Sequence, residues 1–207
     1  MTTPLGTVFT VGHSTHPVSR LLELLQASQI DAVADVRSSP YSRRLPQFNR
    51  ESLEGELSRA GVAYVFLGRE LGGRGSGSDV LGPDGRVSYA KIGATVEFAS
   101  GIDRVLHGMA QYRLALLCAE RDPMECHRGL LISRVLAGRG VAVQHIGVDG
   151  HIESQVHAEE RLLSLFGLSV PNLLRTDEEV YDEAYLRQES RVAYVDKGPQ
   201  QPEGNPP

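Results

Sequence analysis

Short apolar runs alternate with amphipathic stretches along most of the chain, and this alternation predicts its elements. Runs rich in Val, Ile and Leu lie at residues 7–11, 32–36, 62–67, 113–118 and 141–146, each bounded by polar or Gly positions. Their length and continuity predict five buried strands. Helical spacing fills the gaps: residues 17–27, with Leu21, Leu22, Leu24 and Leu25; residues 50–60 behind Asn49 as a cap; residues 88–109; and about 123–137. Residues 157–168 and 177–189 also read as helices. A βαβαβ rhythm of this kind predicts an α/β fold, Rossmann-like, with a mostly parallel sheet of about five strands and helices on both faces.

Two stretches break the rhythm. Residues 68–86, GRELGGRGSGSDVLGPDGR, carry seven glycines and read as a long mobile loop able to act as a lid. The tail is Pro- and Gly-rich with too little apolar surface to order itself, so residues 191–207 are expected to be disordered. Residues 1–190 then form a single domain, with no internal repeat.

Composition narrows the class. The chain has 207 residues, 41% hydrophobic and 23% charged, with a net charge of −5, as an ordinary globular protein has. Its acidity is local: residues 153–190 hold nine acids against Arg161, Arg175 and Arg187, and the remainder is close to neutral. No apolar run approaches the roughly 18 residues of a membrane helix, and the start, MTTPLGTVFTVG, has no charged segment ahead of a long apolar core. Cys118 and Cys126 are the only cysteines, too few for a disulfide framework. A cytoplasmic, reducing setting without membrane contact is the expectation.

In an open parallel sheet the ligand crevice lies at the carboxyl ends of the strands. The residues expected there are reactive ones. Gly12, His13 and Ser14 follow the first strand; Asp35 and Arg37 end the second and lead into SSPYSRRLPQF; Cys118, Glu120 and Arg121 follow the fourth and lead into DPMECHR. In that last segment Asp122 reads as a cap, Pro123 as the first helical residue and Glu125 as the return arm of a capping box, which puts Cys126, His127 and Arg128 in the first helical turns. A thiol there feels the helix dipole and its basic neighbours, which favour the thiolate, whereas Glu120 and Glu125 oppose it. Cys118 reads as a buried filler. A metal held by Cys118, Cys126, His127 and His13 is a lesser alternative, since C-x7-C-H is not a recognised zinc spacing.

The segments GHS (12–14), DVRSSPYSRRLPQF (35–48), LGGR (71–74) and CAERDPMECHR (118–128), in that order, resemble the signature segments of the bacterial and archaeal family catalogued as domain of unknown function 488. The resemblance runs over about residues 8–160. It implies an α/β fold and one shared site built from these motifs, and it brings no activity with it.

Function therefore has to come from the residues. Arg37, Arg43, Arg44 and Arg50 fall within fourteen residues that contain no acid, a pattern suited to clamping phosphate or carboxylate. The expected enzyme is a hydrolase or transferase for a small anionic, phosphate- or nucleotide-bearing substrate, working by thiol or acid–base chemistry. Glu120, Cys126 and His127 are its catalytic candidates; His13, Ser14, Asp35, Arg37, Ser42, Arg43 and Arg128 are its binding candidates, and no cofactor is required. The alternative is a non-catalytic module that binds a nucleotide or nucleic acid in the same basic pocket. Nicotinamide, P-loop and nucleophile-elbow chemistries are disfavoured, because G-x-G-x-x-G, G-x-x-x-x-G-K-[ST] and G-x-S-x-G are not found where those folds need them.

Overall fold

In a computed structural model, which describes residues 5–75, 77–171 and 173–196, the predicted strands appear as β1 (Thr7–Gly12), β2 (Ala32–Asp35), β3 (Ala63–Phe66), β4 (Leu114–Cys118) and β5 (Ala142–Ile146). They form a parallel sheet in the order β3-β2-β4-β1-β5, and a sixth strand, β6 (Ile152–Ser154), adds antiparallel to β5 at the edge. The fold is thus Rossmann-like α/β, as the rhythm predicts. β6 has only three residues beyond a turn at Asp149 and Gly150, too short to carry a readable period.

The helices cover both faces because successive strand residues point to opposite sides. Phe9, Val11, Val33, Ala115 and Leu117 pack against α1 (Val18–Ala27) and α2 (Arg50–Arg59) through Leu21, Leu24, Leu25, Leu53 and Leu57. Val8, Ala34, Leu114, Leu116 and Cys118 face the other layer. That layer contains α3 (Gly68–Leu71), α4 (Tyr89–Gly93), α5 (Val96–Met109), α6 (Arg134–Gly138), α7 (Gln155–Leu165) and α8 (Asp177–Val192). β1 and β2 send their chains to one face and β4 sends its chain to the other, so a crevice opens at the carboxyl end of β4.

Several boundaries differ from the sequence reading. The helix expected over 88–109 is two, because Thr95 leaves the helical conformation and its side chain caps α5 by accepting from Phe98 N. Much of 68–86 is folded rather than a free lid. Val80 and Val87 are buried, Leu81 bridges Val87, and Arg86 bridges Val195. The last bridge also orders residues 191–196: α8 runs to Val192 and Ala193 is buried, while residues 197–207 of the expected tail lie outside the described residues. Three of the nine acids of 153–190 are ion-paired among the described residues: Glu153 with Arg161, which also joins Asp122, Asp182 with Arg134, and Glu183 with Arg175 and Arg187. Among the described residues no helix is long and apolar enough to cross a membrane.

Candidate functional site

The segment after β4 builds the floor of the crevice. Pro123–Glu125 form one 3-10 turn, capped by Asp122, whose Oδ1 accepts from Met124 N at 2.8 Å. At Cys126 the backbone is extended, with φ −146° and ψ 146°. A π-helical segment, Arg128–Ser133, then leads into α6. The expected single helix from 123 to 137 is therefore broken, and Cys126 stands ahead of the helical segment rather than inside it. Glycine at 129 permits this break: it lies so close under the 3-10 turn that a Cβ on it would stand 2.1 Å from Pro123 O. The capping box does not form; Glu125 is exposed and lines the cavity mouth.

This break brings four side chains together. Glu120 Oε2 accepts from Cys118 Sγ at 2.8 Å and from Cys126 Sγ at 2.9 Å. His127 Nδ1 lies 3.6 Å from Cys126 Sγ and 3.8 Å from Cys118 Sγ. His127 Nε2 donates to Val36 O at 2.9 Å, and Arg128 N donates to Cys126 Sγ at 3.4 Å. Both cysteines are free and buried.

The electrostatics follow from burial among these partners. Burial would raise the Glu120 carboxyl, but hydrogen bonds from both thiols outweigh it and hold its pKa below the usual glutamate value. Burial and the neighbouring Cys126 push the Cys118 thiol well up. Burial opposes the charged form of His127, yet Cys118, the Val36 carbonyl and Glu120 together raise its pKa.

A second constellation lies beside the first. Asp35 Oδ1 accepts from Arg37 N and Nε at 3.1 and 2.9 Å, and Oδ2 accepts from Arg37 Nη2 at 2.6 Å and Tyr64 OH at 2.8 Å. Arg37 Nη1 donates to Phe48 O at 2.9 Å and to His13 Nε2 at 3.2 Å. His13 Nδ1 donates to Ser14 O at 2.8 Å, which fixes the tautomer, and its ring stacks on Phe48. Burial, and to a lesser degree Arg37, lower the pKa of His13 to about 4. Arg37 thus spends most of its donors on Asp35, Phe48 and His13.

The other binding candidates, Ser14, Ser42, Arg43 and Arg128, do not line the cavity at the thiols. Ser14 sits at φ 49° in the turn after β1, its N–H continuing the ladder to Ala119 O. Ser42 shapes its own loop, its Oγ accepting from Arg44 N and Leu45 N, and Arg43 is exposed. Arg128 is buried and donates to Thr10 Oγ1, Glu120 O and Arg121 O, so it holds the floor segment rather than a ligand. Gly12 admits this segment: a Cβ there would stand 1.8 Å from Glu120 O. His145 lies in the core between Thr10 and Gln155.

The four clustered side chains open onto a cavity of about 260 Å³. Its walls include Arg37, Ser38 and Ser39 after β2, Gly73 and Arg74, Tyr89, and Val192 and Tyr194 at and just beyond the end of α8. Arg74 was not singled out by the sequence, although LGGR was a recognised segment; the guanidinium lies 4.7 Å over the Tyr194 ring and meets no carboxylate among the described residues. Burial and nearby Cys126 raise the pKa of the Tyr89 hydroxyl, which stays a neutral donor. The two glycines before Arg74 are steric requirements. A Cβ on Gly73 would lie 2.5 Å from His127 Cγ, and one on Gly72 would lie 2.4 Å from Ser38 Oγ.

A family model described as "Domain of unknown function DUF488" matches residues 17–135. The match takes in residues 35–48, 71–74 and 118–128 and begins after the GHS segment. No curated protein and no solved structure matches the chain.

Proposed function

The chain belongs to the family described as domain of unknown function DUF488, and from that premise we propose that it is an enzyme acting on a small anionic substrate, phosphate- or nucleotide-bearing, at the carboxyl end of β4. One observation carries the reading: two thiols, an imidazole and a carboxylate converge on one cavity whose wall also carries Arg74, a guanidinium that meets no carboxylate among the described residues. Glu120, Cys126 and His127 supply the reacting groups. Arg74, Ser38, Ser39 and Tyr89 supply donors for the anion, with Arg37 adding charge from its ion pair with Asp35. Free, buried cysteines suit a reducing, cytoplasmic setting.

The test is a thermal-shift panel of inorganic phosphate, pyrophosphate and nucleoside mono- and triphosphates, with phosphate release followed in parallel. A probe present at 100 times its Kd stabilises by about 2.7 kcal/mol, a rise of roughly 5–10 °C for a chain of this size. Arg74→Ala should remove the shift. Glu120→Gln should keep the shift and lose turnover. A shift with no turnover in the wild type would favour the binding module; no shift with any probe would remove the reading altogether.

A further inference from the structure

We propose that Cys118, Glu120, Cys126 and His127 bind one divalent ion of the zinc class at the floor of this cavity. The site stands on its own geometry; its role as the reacting centre rests on the reading above. The Sγ atoms of Cys118 and Cys126 and a ring nitrogen of His127 all lie within 4.8 Å of one another. With Zn–S near 2.3 Å and Zn–N near 2.0–2.1 Å, a tetrahedral site has S···N edges of about 3.6 Å. The two edges here are 3.6 and 3.8 Å. The donor set of two sulfurs, one imidazole and one carboxylate suits a borderline-soft cation rather than magnesium or calcium.

Three further features fit a ligand set better than core filler. His127 is oriented as metal-bound imidazoles are, its far nitrogen donating to a backbone carbonyl, Val36 O. Cys126 Sγ accepts a backbone N–H from Arg128 at 3.4 Å, an outer contact that a ligating sulfur can keep. Glu120 forms no ion pair among the described residues; its Oε2 accepts from two weak thiol donors in a largely buried place. A carboxylate so placed is costly without a stronger partner, and a cation supplies one. Oε2 stands closer to the sulfurs than the about 3.5 Å edge of a tetrahedron, so Glu120 moves outward on loading, toward the cavity it already lines. His13, the other sequence candidate, is not a ligand: its Nε2 accepts from the Arg37 cation.

Loading balances in charge. Two thiol protons leave to solvent as one dication enters, and Glu120 is already a carboxylate, so the site remains at a net −1 beside Arg37 and Arg74. Glu120 is the fourth ligand and the one that shifts toward the cavity, so an anion or water reaches the ion by displacing that carboxylate or adding beside it.

The test uses the full chain without an affinity tag, stripped with EDTA and titrated with Zn2+ against a chromogenic chelator, and separately with Co2+. The expected result is one Zn2+ per chain, two thiols that react with a disulfide reagent only after stripping, and thiolate-to-metal absorption with Co2+. Cys126→Ser and His127→Gln should each weaken Zn2+ more than 100-fold, and Glu120→Gln about 10- to 100-fold at unchanged stoichiometry, with circular dichroism confirming the fold. Wild-type protein that takes up no Zn2+, or the same affinity in the Cys118→Ser/Cys126→Ser double variant, overturns the site. So does a metal-free chain lighter by two hydrogens with no reactive thiol, which is a disulfide. Zn2+ uptake without an anion-induced shift would leave the ion and remove the anionic-substrate reading. Anion shifts that persist in a chain taking up no Zn2+ would do the reverse.

Discussion

The Val36 carbonyl accepts a hydrogen bond from His127 Nε2 at 2.9 Å. In the neutral ring the proton is therefore on Nε2, and the Nδ1 lone pair faces the two sulfurs. Val36 is itself fixed, its N–H donating to Leu117 O at 3.0 Å between the paired residues Asp35 and Arg37. The exit of β2 thus sets the chemistry presented by a residue 91 positions away.

Gly73→Ala tests that positioning from the other side of the ring. The new Cβ would meet His127 Cγ, Cβ and Nδ1 at 2.5, 2.7 and 2.8 Å, and the ring is pinned at Nε2. Overpacking of this sort costs about 1–3 kcal/mol. Urea denaturation should show that loss, and the thiols should become more reactive as the imidazole is pushed off them.

The ion pair of Asp35 and Arg37 is buried, with Asp35 at 0% exposure and Arg37 at 7%. Removing one partner strands the other charge, so Asp35→Asn and Arg37→Met should each cost about 3–5 kcal/mol. The double variant should cost clearly less than their sum, by more than about 1 kcal/mol, because no uncompensated charge remains. Additive losses in a denaturation cycle would mean that the pair acts independently.

The sheet was legible because β1, β2 and β4 are buried on both faces, and continuous apolar runs such as VFTV, AVA and LALL say so directly. The motif order also placed Glu120, Cys126 and His127 together after β4, and their side chains converge, with Cys118, read as a filler, among them. Their arrangement was not legible. Capping residues at Asp122 and Pro123 read as the start of a long helix, whereas the backbone is extended at Cys126, an arrangement that leaves no room for a Cβ at Gly129 beside Pro123 O. Local sequence likewise marks Arg37 as a cation but does not show that Asp35, Phe48 and His13 occupy its donors. Arg74 comes from a segment without period and Tyr89 from the start of a helix whose period says nothing of the cavity; tertiary packing gathers both.

Gly55 offers a stabilising change remote from the site. It lies inside α2, is exposed, and a Cβ there would meet nothing within 4 Å. Gly55→Ala should therefore add about 0.5–1 kcal/mol by restricting the unfolded chain and improving helix propensity. A rise in Tm of about 1–4 °C should accompany it, with no change in anion or Zn2+ binding; a lower Tm would show that α2 needs the glycine.

Acid should destabilise the protein before its carboxylates titrate. His13 and His145 are held neutral, each with a pKa lowered from 6.5 to about 4, chiefly by burial and then, for His145, by Arg128. Between those values the unfolded chain binds protons that the folded chain refuses, so stability is full above pH 6.5 and falls as the pH drops toward 4. Each histidine contributes on the order of 3 kcal/mol to that fall. His127, with its raised pKa, acts above pH 6.5 and in the opposite sense, adding stability that is lost as the pH rises. His145 accepts from Thr10 Oγ1 and donates to Gln155 Oε1, both at 2.8 Å, so His145→Gln keeps polar atoms in place without a titrating ring. Urea midpoints measured from pH 7 to pH 4 should decline steeply in the wild type and by about half as much in His145→Gln. An unchanged slope would mean that His145 is already protonated inside the fold.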